Sequence, residues 1–239
     1  MYQEILKKRS MLNDRKPYST EKRIEIKEAG LRDLIFTSLH LEGSCIKKEQ
    51  VQQILREEFV PEVILADHMA IQQYRELAVH MESLLELQSD LSLQVIKELH
   101  GFNSEVEPVS WRRCNPLVYT LDYNPPPWQE VDERMEFFIR WSYGAEEAKG
   151  NAILKAAYLH HKFLEIYPFE QNCEGTARIL MYYSLLREGY PLFQLRLSER
   201  EYNQSIVDYL KHQNVDPFYQ ALERSVFNQL DVLLQMTEE

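Results

Sequence analysis

Glycine is scarce in this chain: seven in 239 residues. So few glycines leave little room for tight hairpins and bulges, which argues against a β-rich or loop-rich architecture. Cysteine is scarcer. Cys45, Cys114 and Cys173 form no CxxC pair, so neither a zinc site nor a disulfide framework is expected. An odd, sparse set fits a reducing cytoplasm. No uncharged apolar run approaches the roughly 20 residues a membrane span needs. The start, Met1 to Ser10, has no apolar stretch of the signal-peptide kind. The expectation is a cytoplasmic protein with no membrane partner. Positive charge is also short, with 27 Lys and Arg against 38 Asp and Glu and a formal charge of -11. That excess repels a phosphate backbone, so nucleic acid is not an expected partner. The small cluster Lys22, Arg23 and Lys27 reads as a solvated helix face. There is no internal repeat and no low-complexity tract.

What is present points to helices. Hydrophobic residues make up 44% and charged residues 27%, ordinary values for a globular chain long enough to bury a core. From about Glu21 to Leu39 the apolar positions Leu31, Leu34, Ile35 and Leu39 line one face, and Gly43 suits the helix end. Val51, Ile54, Leu55 and Phe59 form the stripe of a second helix, and Pro61 suits a new helical start. Residues 64–86 read as one long helix through Ile71, Tyr74, Leu77, Ala78 and Met81. Asp90 is the expected cap of the next, which holds Leu93, Ile96 and Leu99.

The pattern changes between Ser104 and Pro127. Val109, Trp111, Leu117, Val118, Tyr119, Leu121 and Tyr123 favour strands, Asn115-Pro116 supplies a turn, and Pro125 to Pro127 end it. A short β-hairpin is expected there. Helical spacing returns at Val131, Met135, Phe138 and Trp141 and breaks at Gly144. Ala152, Ala156, Leu159, Phe163 and Ile166 then form one continuous face that Pro168 ends. A loop from Pro168 to about Gly175 leads into a buried helix over 176–188, closed by Gly189-Tyr190-Pro191. Two more helices, about 199–212 and 216–236, complete the chain. The expected class is mainly α with one hairpin.

The stretch AAYLHHKFLEIYPFEQNCEGTARILMYYSLLREGYP, Ala156 to Pro191, resembles the core of a Fic (Fido-fold) domain. The match runs through Ala156, Ala157, Leu159, His160, His161, Phe163, Ile166, Pro168, Phe169, Thr176, Ala177, Leu180, Met181, Leu186, Gly189, Tyr190 and Pro191. The stretch Trp111 to Tyr123 resembles the family's flap, which aligns a target segment by strand pairing. The Leu99-His100 helix end before it fits too. Ser38, Glu42 and Gly43 fit the family's (S/T)xxxE(G/N) inhibitory pattern. The resemblance implies N-terminal helices over 1–60, with the inhibitory-type helix among them, and a core domain over 61–239. It also implies transfer of AMP from ATP to a target hydroxyl, through the motif HPFx(D/E)GNGRxxR.

This chain departs from that motif almost throughout. Tyr167 stands at the position of the histidine base, and a phenol of pKa about 10 is roughly one part in a thousand deprotonated at pH 7. Gln171 replaces the metal-holding carboxylate. Asn172, Cys173 and Glu174 take the Gly-Asn-Gly places, Gly175 takes that of the first arginine, and Arg178 alone matches. A Glu174 carboxylate about 4 Å from a phosphate oxygen would repel it by up to about 4 kcal/mol at an effective dielectric of 20. The expectation is a degenerate Fic module without standard AMP-transferase activity, with no metal and no cofactor, acting as a binding or regulatory module that meets a protein partner through the flap residues Leu117, Val118 and Tyr119 or persists as a stable scaffold. The alternative is a noncanonical transferase that keeps ATP with magnesium and another base.

The individual residues have plainer readings beside these. Tyr167 is expected as a packed aromatic at a helix end. His160 and His161 lie roughly 9 to 10 Å along the helix axis from it and are read as structural. Glu170 reaches a metal only if the loop slips. Cys173 is read as a plain loop cysteine, blunted by Glu174. Glu42 and Arg178 are expected to form an ion pair that pins the N-terminal helix to the core.

Overall fold

The structure is a computed structural model, and it describes residues 1–102 and 109–238. Among these are ten α-helices: α1 (Tyr2–Asp14), α2 (Thr20–Leu41), α3 (Lys48–Leu55), α4 (Leu65–Glu86), α5 (Leu93–Gly101), α6 (Val131–Gly144), α7 (Ala152–Ile166), α8 (Cys173–Arg187), α9 (Glu199–His212) and α10 (Asp216–Met236). The centre is the antiparallel pair α7 and α8. Both are buried nearly all round, as helices at the middle of a bundle must be. Helices α4 and α5 pack on α8, while α6, α9 and α10 pack on α7. Helix α1 lies along α10 and α2 runs beside α3 and α4.

Local chemistry sets the ends. Ser19, Ser92 and Ser198 accept backbone N–H groups at the starts of α2, α5 and α9. The cap of α5 is therefore Ser92 and not Asp90, whose carboxylate instead pairs with Arg187. Asn151 caps α7 by accepting from the N–H groups of Ile153 and Leu154. Gly43 and Gly189 take left-handed backbones just past α2 and α8, where glycine carries no Cβ penalty.

Several expectations fail in detail. Helix α3 stops at Leu55, and Phe59, assigned to its apolar stripe, is 82% exposed. Pro61 starts no helix, since α4 begins at Leu65. Helix α1 has no counterpart in the sequence reading; its buried positions are only Ile5 and Leu12, too few to show a stripe.

Among the described residues the expected β-hairpin is not formed. Among the described residues there is no strand, only an isolated antiparallel bridge between Val118 and Tyr123 across a 3-10 turn, Tyr119–Leu121. The backbone N–H of Arg112 goes to the carbonyl of Pro168 at 2.8 Å instead of to a neighbouring strand. Pro116 and Pro125 to Pro127 have no N–H to extend the ladder. The first residues of the expected hairpin stretch, 104–108, lie outside the described residues.

Candidate functional site

The candidate site is the turn between α7 and α8. Proline at 168 disfavours a right-handed helical backbone for the residue before it. Tyr167 accordingly takes the left-handed region, φ 50, and its N–H still caps α7 through the carbonyl of Phe163 at 2.9 Å. Asn172 is also left-handed, φ 51, a conformation asparagine tolerates. Helix α8 begins at Cys173, so Cys173, Glu174 and Gly175 form its first turn and are not loop residues.

The Tyr167 ring is buried, and its hydroxyl donates to both oxygens of Glu174, each at 3.1 Å. Burial first, then the Glu174 carboxylate, push the phenol further above its ordinary pKa. The position that carries a general base in the resembled family thus holds a locked neutral donor. Glu174 sits in the first turn of α8, where the helix dipole favours negative charge. The chain's own carboxylate therefore occupies the end that would attract an external anion.

Cys173 is fully buried and closed on the backbone. Its sulfur accepts from the Phe169 N–H at 3.3 Å and donates to the Phe169 carbonyl at 3.4 Å. Burial drives its pKa up, the Phe169 hydrogen bond opposes this, and Glu174 adds to it, so the thiol is unreactive. Thr176 donates to the Asn172 carbonyl at 3.0 Å, which leaves its oxygen to accept from Nδ1 of His100 at 2.7 Å. His100 stacks on Phe169 at 3.6 Å, and burial lowers its pKa to about 4, so it is neutral. A Cβ on Gly175 would lie 2.3 Å from the Asn172 side-chain oxygen. Glycine there and asparagine at 172 are a fitted pair.

Gln171 and Glu170 are exposed, and Glu170 accepts the Arg113 N–H at 3.5 Å. A cavity of about 120 Å³ beside them is lined by His100, Trp111, Phe169 and Gln171 among others, but not by Tyr167, Glu174 or Arg178. Drug-sized ligands occupy roughly 300 to 1,000 Å³.

Arg178, one turn further along α8, is buried and ion-paired to Glu42 at the end of α2. Tyr74 also donates to Glu42, at 3.3 Å. Ser38 is buried one turn before Glu42, and Gly43 follows it with φ 87. Arg178 donates to the Tyr202 hydroxyl at 3.4 Å. Because a guanidinium only donates, the Tyr202 proton points onward to Nε2 of His160, 2.8 Å away. Nδ1 of His160 then donates to Nδ1 of His161, at 2.8 Å. Both imidazoles are fully buried. Burial, with the neighbouring histidine, depresses His160 well below its ordinary pKa, and burial takes His161 to about 3. The sequence motifs supplied Glu42 and Arg178 but not Tyr74 and Tyr202, which come from helices outside the motif.

One positioning residue was invisible in the sequence. The Arg112 side chain is buried and donates to the carbonyls of Tyr167 at 2.8 Å, Cys114 at 2.8 Å, Ile166 at 3.3 Å and Pro126. It ties the open carbonyl end of α7 to the segment that would be the flap. In that segment Val118 is buried, while Leu117 and Tyr119 are 42% and 84% exposed.

A family model, the Fic/DOC family, matches residues 81–185. The chain is 25% identical over 218 residues to the protein adenylyltransferase Fic of Nematostella vectensis, covering 89% of this chain and 50% of that relative. It spans about half the length, or somewhat less, of the relatives it matches. Among solved structures, a Fic domain containing signaling protein from Bacteroides thetaiotaomicron superposes with a TM-score of 0.81 at 18% identity, over 98% of this chain and 97% of that one. Fic-1 from C. elegans gives 0.82 at 20% identity, over 98% of this chain and 71% of that one. In the described residues no helix is long and apolar enough to cross a membrane.

Proposed function

This chain carries a Fic domain of the Fido fold, and on that premise we propose that it is a binding or regulatory module that has given up standard AMP transfer. The observation that carries the reading is the Tyr167–Glu174 pair, which puts a locked phenol at the base position and a carboxylate at the anion-binding helix end. The residues present do not fit a magnesium triphosphate. Gln171 brings no charge to the metal, and Gly175 brings no guanidinium to the phosphates. Asn172 lies over Gly175, where an arginine stem would begin. Arg178, the remaining cation, is already paired with Glu42.

A protein partner would read the flap by the exposed Leu117 and Tyr119 side chains. Strand addition is a poor fit, because both backbone groups of Val118 are bonded to Tyr123. The second reading, a noncanonical transferase acting on protein hydroxyls, draws on the relatives named adenylyltransferases and on the surviving Glu42–Arg178 contact.

Label transfer separates the two. The chain and its Glu42→Gly variant are incubated with α-labelled ATP, magnesium or manganese, and cell lysate. Our reading expects no protein labelling above background from either. Labelling by the variant that depends on Arg178 would establish the second reading.

A further inference from the structure

A groove of about 540 Å³ opens between α6, the last turn of α7 and the end of α9. Tyr167 and Glu174 do not line it, so what it binds is independent of whether the turn transfers a nucleotide. Its α6 wall presents Glu133, Phe137 and Trp141, spread over about 12 Å of helix. Phe137 is 62% exposed, so its ring is open to a ligand in the groove.

Three carboxylates, Glu130, Glu133 and Glu165, and three cations, Arg134, Arg140 and Lys162, line the groove, but they are not paired with one another evenly. Its three cations already have carboxylate partners: Arg134 with Glu130 at 2.7 Å, Arg140 with Glu136 at 3.8 Å, and Lys162 with Glu147 at 3.8 Å. Lys162 is further held over the Trp141 ring, 5.0 Å from its centre. Among the described residues, neither Glu133 nor Glu165 has a cationic partner. Glu133 lies in the first turn of α6, whose dipole partly compensates it. Glu165 lies in the last turn of α7, which has no basic residue, so the carbonyl end of that helix adds to its negative charge. Burial, then this carboxylate, hold the Tyr209 hydroxyl behind it above its ordinary pKa.

We propose that this groove docks a basic segment of a partner protein. A lysine or arginine sets its charge against Glu165, with Glu133 in support, and lays its aliphatic stem and an apolar neighbour on Phe137 and Trp141. The complementarity is one of charge and apolar contact together: two carboxylates without a cation beside the exposed Phe137 and the half-buried Trp141, on a chain whose net charge of -11 draws cations toward it.

The probe is a phage-displayed library of random peptides panned on the full chain, followed by binding of one synthetic winner measured by fluorescence anisotropy. The expected winners carry lysine or arginine beside an apolar residue. The E133Q/E165Q double variant weakens binding about tenfold, and Phe137→Ala weakens it too, each with its melting temperature unchanged. A control, Glu28→Gln with Glu62→Gln, removes the same charge from exposed positions outside the groove and leaves the affinity intact. Failure to enrich basic peptides, or an equal loss in the control, overturns the proposal. So does a dimer in sedimentation that Phe137→Ala dissolves, which would give the groove to a second copy of this chain.

Discussion

Arg178 on α8 closes on the carboxylate of Glu42, 136 residues earlier in the chain, and the two partners differ sharply in exposure. The arginine side chain is 1% exposed and the glutamate 37%. Removing the glutamate strands a buried cation, whereas removing the arginine leaves a carboxylate with a route to water. Glu42→Gln is therefore expected to cost about 3 kcal/mol, and Arg178→Met less. The double variant should cost less than the sum of the two. Urea midpoints at constant m-value measure all three; equal and additive losses would deny that the pair is a buried anchor.

The buried imidazoles make stability depend on pH. Folded His100 titrates at about 4 and His161 at about 3, with His160 also well below its ordinary value. Each takes a proton on unfolding once the pH drops below about 6.5. The folded pKa values are depressed, so the stability is fully present above that pH and is lost as the pH falls toward 4 and 3. Each group contributes up to about 1.4 kcal/mol per pH unit in that window. Unfolding free energies measured between pH 7 and 5 should fall with a slope of roughly two to three protons. A flat profile would mean that these histidines are not held neutral.

Gly175 and Asn172 are expected to be coupled. Alanine is the better helix former by about 1 kcal/mol, yet its Cβ at 175 would press on the Asn172 side chain. Gly175→Ala should destabilise the wild-type chain and become neutral or stabilising in an Asn172→Gly background. A double-mutant cycle reads the coupling, expected at about 1 kcal/mol. A coupling of zero would show that the asparagine swings away freely.

Arg112 is expected to be irreplaceable by lysine. An ammonium cannot reproduce a planar fork donating to carbonyls of both α7 and the flap segment. Arg112→Lys should cost about 2 kcal/mol and speed amide hydrogen exchange around Val118 and Tyr123 before the rest of the chain. Unchanged exchange there would deny that it ties the segment down.

The legible parts of the sequence were those carried by long periodic runs. The faces of α4, α7 and α8 stand out because each repeats an apolar position over several turns, and the turn between α7 and α8 was framed by Pro168 and the residues around it. Helix α1 was not legible, because only Ile5 and Leu12 are buried. The first turn of α8 does not stand out in the sequence, since Asn172, Cys173 and Gly175 are poor helix formers that here are held by the Asn172–Thr176 bonds and the closed Cys173 thiol. Strand-favouring side chains between Val109 and Tyr123 suggest a hairpin, but the backbone bonds go to Pro168 and a 3-10 turn. Side-chain propensity carries no record of where a backbone N–H finds its partner. Arg112, Tyr74 and Tyr202 act through contacts far apart in sequence, which no local pattern reveals.

Restoring one residue should not restore chemistry. Tyr167→His returns an imidazole but leaves Gln171, Glu174 and Gly175 as they are. Label transfer by this variant is expected to stay at background, also when combined with Glu42→Gly. Transfer by the single variant would mean that the rest of the turn still cradles a triphosphate.

The most direct test is nucleotide binding itself. Calorimetric titration of the wild type and of Glu42→Gly with ATP and magnesium, backed by a crystal soaked in the same mixture, is expected to give no heat of binding and no nucleotide density against residues 171–178. Saturable binding by either protein, with ordered phosphates at the start of α8, would contradict the account.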